Sequence, residues 1–88
     1  MKIKEGFILK KVAGNNVVIG VGKTMQTFNG MINLSESAAF LFEHLLEGTT
    51  VESLCDALCA EYDVDRNTAL ADINAFLDKL RSINILEE

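Results

Sequence analysis

The sequence has no proline and no tryptophan, and it contains one histidine and two cysteines among 88 residues. No apolar stretch reaches the roughly 18 residues that a membrane-spanning helix needs. The N-terminal segment also lacks the unbroken apolar run of a signal peptide. With no export signal and so few cysteines, the chain is expected to reside in the cytoplasm and to have no membrane partner.

What remains is the composition of a small folded domain. Hydrophobic residues make up 49% of the chain, which suffices for a core, and the length predicts one domain over residues 1–88. The net charge of −5 is divided unevenly: residues 1–34 hold five lysines and one glutamate, whereas residues 35–88 hold three basic residues and twelve carboxylates. Because an acidic C-terminal part repels phosphate groups, nucleic acid is not expected as a partner.

The first part of the chain predicts three strands. Phe7–Val12 is an apolar-rich run, and the glycine and asparagines of Ala13–Asn16 suit a tight turn after it. Asn16–Val21 is rich in β-branched residues and predicts the second strand. Gly22–Phe28 is expected to be a connecting loop. A short third strand is predicted over Gly30–Leu34.

From that point the period of the apolar residues becomes helical. Ser35 is expected to cap a first helix that ends at Gly48. Thr49 and Glu52 have the spacing of a capping box for a second helix. Asp65 is expected to cap a third, longer helix that reaches about residue 82. The order predicts an α+β fold, winged-helix-like, in which a three-stranded antiparallel sheet is followed by three helices.

Few side chains point to catalysis or to a metal. Cys55 and Cys59 lie one turn apart within a predicted helix, a geometry that disfavours a disulfide and supplies too few ligands for a cluster. His44 is the only histidine, and its helix offers only Glu43 and Glu47 beside it. The sequence therefore predicts no enzyme activity, no catalytic residue, no metal site and no cofactor.

The third strand is the strongest candidate for a binding site. In a sheet of order 1-2-3 it is an edge, and it carries no proline, lysine or inward charge to protect that edge. An extended peptide is expected to add there as a further strand. A homodimer, in which a second copy of the chain covers the edge, is the alternative. The predicted contact residues of this strand are Gly30, Met31, Ile32, Asn33 and Leu34.

The third helix is expected to supply a second wall. At about 100° per residue, Leu70 and Leu77 extend its apolar arc to one side, and Asn74 and Arg81 lie beyond them. On one interpretation the two leucines form the floor of a groove beside the sheet, with Asn74 and Arg81 as its polar border. On the other, Leu70 and Leu77 pack under the second helix as part of the core.

Several segments together resemble the PqqD-like proteins, also called RiPP recognition elements. They run in the order and spacing of that family from an early Phe7-Ile-Leu run through Phe28-Asn-Gly-Met-Ile-Asn-Leu and Phe40-Leu-Phe-Glu-His-Leu-Leu-Glu-Gly. The match continues through Glu61-Tyr-Asp-Val-Asp to Ala71-Asp-Ile-Asn-Ala-Phe-Leu-Asp-Lys-Leu. It covers nearly the whole chain.

The resemblance implies a winged-helix-like domain that binds the leader segment of a ribosomally made precursor peptide. Such a domain presents the peptide to a modifying enzyme, often a radical S-adenosylmethionine enzyme. It also implies that the leader pairs with Gly30–Leu34 and packs against the third helix. A winged-helix regulator that reads DNA with its third helix is the alternative function, although Asp65 and Asp72 flank Arg66 on that helix and make it a poor surface for a major groove.

Overall fold

The computed structural model describes residues 1–26 and 30–88. The strands are β1 (Lys2–Ile3), β2 (Phe7–Val12), β3 (Asn15–Gly20), β4 (Met31–Leu34) and β5 (Leu86–Glu87). The helices are α1 (Glu36–Glu47), α2 (Val51–Glu61) and α3 (Arg66–Ser82). A short 3₁₀ helix, Gly22–Gln26, lies within the predicted loop. Phe28 and Asn29, which the sequence places before the third strand, lie outside the described residues.

A two-residue turn joins β2 to β3. Ala13 and Gly14 have φ angles of 51° and 83°, so both adopt the left-handed conformation that a tight right-twisted hairpin requires. The strands pair antiparallel from Val12 opposite Asn15 to Phe7 opposite Gly20. The predicted turn is confirmed, and the second strand begins one residue earlier than expected.

The three long strands form an antiparallel sheet in the order β2-β3-β4. Along β4, Leu34 is 8% exposed and Ile32 is half-buried, whereas Met31 is 65% exposed and Asn33 is also exposed. Side chains therefore alternate between the core and the outer face of the sheet. Gly30 is an exposed bend just before β4 rather than its first residue.

Each helix begins at a side-chain cap, because the first backbone N–H groups of a helix lack partners within it. The Ser35 hydroxyl accepts the N–H of Ala38 at 3.1 Å, and the Asp65 carboxylate accepts the N–H of Thr68 at 2.8 Å. Both predicted caps are confirmed. The predicted cap of α2 is wrong by one residue.

Thr50, not Thr49, caps α2. Its hydroxyl accepts the N–H of Ser53 at 3.1 Å. The backbone of Thr49 is engaged elsewhere: its N–H donates to the carbonyl of Met1 at 2.9 Å, and its carbonyl accepts the N-terminal amine of Met1 at 3.0 Å. Thr49 is thus held by the N-terminal strand segment, and the next threonine is left to begin the helix.

The two chain ends form a second, two-stranded sheet that the sequence did not predict. Lys2 pairs with Glu87 and Ile3 with Leu86. Ile3 and Leu86 are 3% and 7% exposed and belong to the core. The apolar residues of the chain ends thereby close the core on the side of α1 and α3.

The core lies between the inner face of the sheet and the helices. Its largest fully buried side chains include Phe42 and Leu45 of α1, Leu54 of α2, and Ile73 and Leu77 of α3. The predicted α+β class, with a three-stranded antiparallel sheet followed by three helices, is confirmed. Among the described residues no helix is both long and apolar enough to cross a membrane.

Gly6 fixes the entrance to β2. Its φ angle is +97°, and a Cβ at this position would overlap the Thr24 hydroxyl. Its carbonyl accepts the N–H of Val21 at 2.8 Å, which continues the β2–β3 ladder by one pair. The 3₁₀ helix can therefore lie against the backbone here only because residue 6 has no side chain.

Candidate functional site

The free edge of β4 is the first component of the candidate site. Within the described residues β4 pairs with β3 alone. In an antiparallel pair, residues alternate between those whose backbone groups bond to the partner and those whose groups point away from it. The hairpin that precedes β4 determines which of its backbone N–H and C=O groups point away from β3.

The two-residue turn makes Val12 and Asn15 a hydrogen-bonded pair, as it closes the hairpin. Residues 15, 17 and 19 of β3 therefore bond to β2, and Asn16 and Val18 bond to β4. The register pairs Asn16 with Leu34 and Val18 with Ile32. The N–H and C=O groups of Ile32 and Leu34 are thus used inside the sheet, and those of Met31 and Asn33 point outward.

A groove between α1 and α3 begins where β4 ends. It has a volume of about 310 Å³. Its apolar lining comes from Ala38 and Leu41 of α1, Leu58 of α2, and Ala75 and Phe76 of α3. Its polar lining comes from Ser35, Ser37 and Asp72. Because Ser35 directly follows Leu34, this α1–α3 groove is contiguous with the end of the open strand.

The groove continues past α2. A second hollow of about 350 Å³ shares Ser35, Ser37, Leu58 and Asp72 with the first and extends to Tyr62 and Val64. The Tyr62 ring packs edge-on against Phe40, with ring centroids 5.7 Å apart. The surface beside the end of β4 is therefore an apolar channel with hydroxyl groups and two carboxylates, Glu36 and Asp72, on its border.

The side of α3 that lines this groove is not the side predicted from the sequence. Taking about 100° per residue, the mean direction of Asp72, Ala75 and Phe76 lies roughly 180° from the mean direction of the four predicted residues of α3. Arg66 shares the predicted side, and its guanidinium contacts the Asp56 carboxylate of α2 at 2.8 Å. At the start of α3 that side therefore faces α2 rather than the sheet.

The four predicted residues of α3 have different environments. Leu77 is fully buried, so it offers no surface to a peptide, and the alternative of core packing describes it. Leu70 is half-buried and packs against the core. Asn74 is exposed, and it stays a predicted contact.

Arg81 is engaged by carboxylates near the C-terminus. Its guanidinium contacts Asp78 at 3.0 Å and Glu88 at 2.9 Å. The hydrogen bond from Arg81 lowers the pKa of Glu88 and raises the pKa of the arginine itself. Arg81 thus holds the end of the chain after β5, and the structure does not place it beside the α1–α3 groove.

Sequence reasoning missed Asp72 and Ala75 as groove residues of α3 because they occur on a flank that looks polar, and it assigned Phe76 to the apolar arc. Asp72 and Lys79 on this flank indicate a solvated face. The available signal was the small apolar Ala75 beside Phe76, since both line the groove.

The remaining candidates for chemistry do not form a site with these residues. His44 is exposed, and its ring packs against Phe40 with centroids 4.7 Å apart. Cys55 is buried, and Cys59 is half-buried. Desolvation raises the pKa of the Cys59 thiol, which keeps it in its less nucleophilic form. Within the described residues no group of three or more metal-ligating side chains comes together.

Within the described residues the fold is a small α+β domain in which β4 is an edge strand. The chain belongs to the PqqD family, because the family model described as coenzyme PQQ synthesis protein D matches residues 8–86. A comparison with curated proteins gives no match.

Two solved structures are similar to the chain. The first is TbiB1 in complex with the TbiA(beta) leader peptide, with 30% sequence identity and a TM-score of 0.79 over 99% of this chain and 95% of that one. The second is a lasso peptide synthetase B1 complexed with the leader peptide, with 21% identity and a TM-score of 0.75 over 96% of this chain and 93% of that one. The second likeness is one of fold.

Proposed function

We propose that this chain binds the leader segment of a ribosomally synthesised precursor peptide, and that the peptide adds as a fourth strand along β4. The observation that carries the proposal is that the N–H and C=O groups of Met31 and Asn33 point away from β3, beside a groove that starts at Ser35. Backbone hydrogen bonds would supply affinity, and side-chain pockets would supply specificity.

The side chains of an added peptide strand would alternate between the inner and the outer face of the sheet. Every second side chain of the peptide would lie on the inner side, level with Ile32 and Leu34. Beyond Leu34 such side chains would reach the apolar lining of the α1–α3 groove. The Asp72 carboxylate and the hydroxyls of Ser35 and Ser37 would face polar atoms at the border of that groove.

The similar structures support this proposal. TbiB1, at 30% identity, is seen with a leader peptide bound. We infer further that the chain presents its peptide to a separate modifying enzyme, such as a radical S-adenosylmethionine enzyme, and has no catalytic step of its own. The surface offers backbone groups and an apolar groove, which are the means of binding an extended chain.

The alternative of a DNA-binding regulator gains no support from α3. Arg66 at its start is paired with Asp56, and Asp65 is occupied as the helix cap. A cation that is already paired contributes less to the neutralisation of a phosphate backbone.

The proposal is tested by calorimetric titration of the full chain with the synthetic leader of the precursor encoded beside its gene. Saturable, equimolar binding is expected. The matched control is the same peptide N-methylated at alternate residues, which keeps its side chains but removes the N–H donors of one edge. Two such peptides are made, one methylated at the odd-numbered and one at the even-numbered residues. The proposal fails if the leader does not bind, or if both methylated peptides bind as tightly as the unmodified one.

A further inference from the structure

The outer face of the three-stranded sheet, which points away from the core, carries a row of apolar side chains. The register aligns Ile8 of β2 with Ile19 of β3, and Ile19 with Met31 of β4. Ile8 is 40% exposed and Met31 is 65% exposed. Directly opposed side chains on one face of a sheet lie in contact, so the three form a continuous apolar strip.

Val12 adds exposed apolar surface on the same face. Val12 shares the outward direction of Ile8 on β2 and is 42% exposed. Val17 lies on the same face opposite Lys10 and Asn33, but it is only 2% exposed and adds no exposed surface. Contiguous exposed apolar surface on a small protein marks an interaction site more often than isolated apolar residues do.

The charge on this face has one sign. Lys10 is exposed and lies in register with Val17 and Asn33. No outward-pointing residue of β2, β3 or β4 is a carboxylate. These residues are Ile8, Lys10, Val12, Asn15, Val17, Ile19, Met31 and Asn33.

The apolar strip and the uncompensated charge of Lys10 together indicate which kind of molecule could bind to the outer face. Two copies of the chain packed face to face would bring Lys10 near its own symmetry mate without a carboxylate from either sheet, which is unfavourable. A nucleic acid would find no aromatic side chain for base stacking among the outward-pointing residues of these three strands. An apolar surface bordered by carboxylates would match both the strip and Lys10.

We propose that the outer face docks a different protein, whose contact surface is apolar and bordered by acidic side chains. This inference rests on the proposed function, in which that protein is the peptide-modifying enzyme. Met31 belongs to both surfaces: its backbone lies on the open edge and its side chain lies on the outer face. An enzyme docked there would therefore lie next to the captured peptide.

The test measures binding of the modifying enzyme encoded beside this gene to four proteins: the wild type, Ile8→Ser, Lys10→Glu and Lys11→Glu. Lys11 is the matched control, because it is the adjacent residue with the same charge on the opposite face of β2. Ile8→Ser and Lys10→Glu are expected to raise the enzyme Kd roughly ten-fold or more. Lys11→Glu is expected to leave it unchanged.

Titration of the leader peptide into the same four proteins separates this inference from the proposed function. All four are expected to bind the peptide equally. If the wild type binds no leader, the proposed function fails. If the leader binds but the enzyme does not, or if Lys10→Glu and Lys11→Glu behave alike, the docking surface is refuted. A wild-type dimer in sedimentation that Ile8→Ser dissociates would assign the face to a second copy instead.

Discussion

Replacement of Asn33 by proline separates the fold of the sheet from its capacity to bind a further strand. The Asn33 N–H points away from β3, so its loss removes no hydrogen bond of the β3–β4 ladder. Proline is tolerated on an edge strand where the missing N–H faces solvent. The Asn33→Pro protein is therefore expected to fold, with an edge that no longer donates at this position.

The Asn33→Pro substitution weakens peptide binding in two ways: one hydrogen bond is lost, and a carbonyl of the bound peptide is left without a donor. A backbone hydrogen bond contributes about 1 kcal/mol net, and a peptide carbonyl left without its donor costs about 1–3 kcal/mol more. The total of about 2–4 kcal/mol corresponds to a Kd raised roughly 30- to 700-fold.

Fluorescence anisotropy with a labelled leader measures this change, and thermal unfolding of the same samples verifies that the variant is folded. Asn33→Ala is the matched control, since it removes the same side chain and keeps the N–H. Its Kd is expected to stay within about three-fold of the wild type. If folded Asn33→Pro binds as the wild type does, strand addition along β4 is refuted.

The other predictions concern stability, measured by urea denaturation. Leu77→Ala is expected to lower the free energy of unfolding by about 2–5 kcal/mol. Asn74→Ala is expected to change it by less than about 0.5 kcal/mol. Similar losses for the two variants would contradict the core position of Leu77. Gly14→Ala is expected to lower the free energy of unfolding by about 1 kcal/mol, because residue 14 has a left-handed backbone. Gly6→Ala is expected to lower it by about 1–3 kcal/mol more, because its Cβ would also overlap Thr24. Equal losses for the two variants would refute the overlap. The hydrogen bond from the backbone N–H of Thr68 lowers the pKa of the Asp65 carboxyl. The contribution of this cap to the free energy of unfolding is therefore present above about pH 4, and it is lost as the pH falls through the lowered pKa. Asp65→Asn, which keeps a capping oxygen, should flatten that decline; an unchanged pH profile would contradict it.

Local signals in the sequence predicted much of the fold. Ser35 and Asp65 were identified as caps because their side chains satisfy N–H groups that every helix leaves free. The faces of β4 were predicted from the alternation of Ile32 and Leu34 with Met31 and Asn33, and their burial confirms it. These features depend on residues within a few positions of one another.

Features that depend on distant contacts were not predictable in the same way. β1 and β5 have two residues each, too few for a period, and they pair only because the chain ends meet. The contact of Thr49 with Met1 likewise decides which threonine caps α2. For α3, periodicity identified the apolar arc but not which neighbouring element each flank of the arc faces. The side with Leu70 and Leu77 was therefore assigned to the groove as readily as to the core.

The central claim is that a peptide completes the open edge of β4, and amide hydrogen exchange tests it residue by residue. In the free protein the amides of Met31 and Asn33 are expected to exchange fast, and those of Ile32 and Leu34 slowly, because only the latter donate to β3. Saturation with the leader should slow exchange at Met31 and Asn33 by at least about ten-fold. Fast exchange at both amides in the saturated complex would contradict the account.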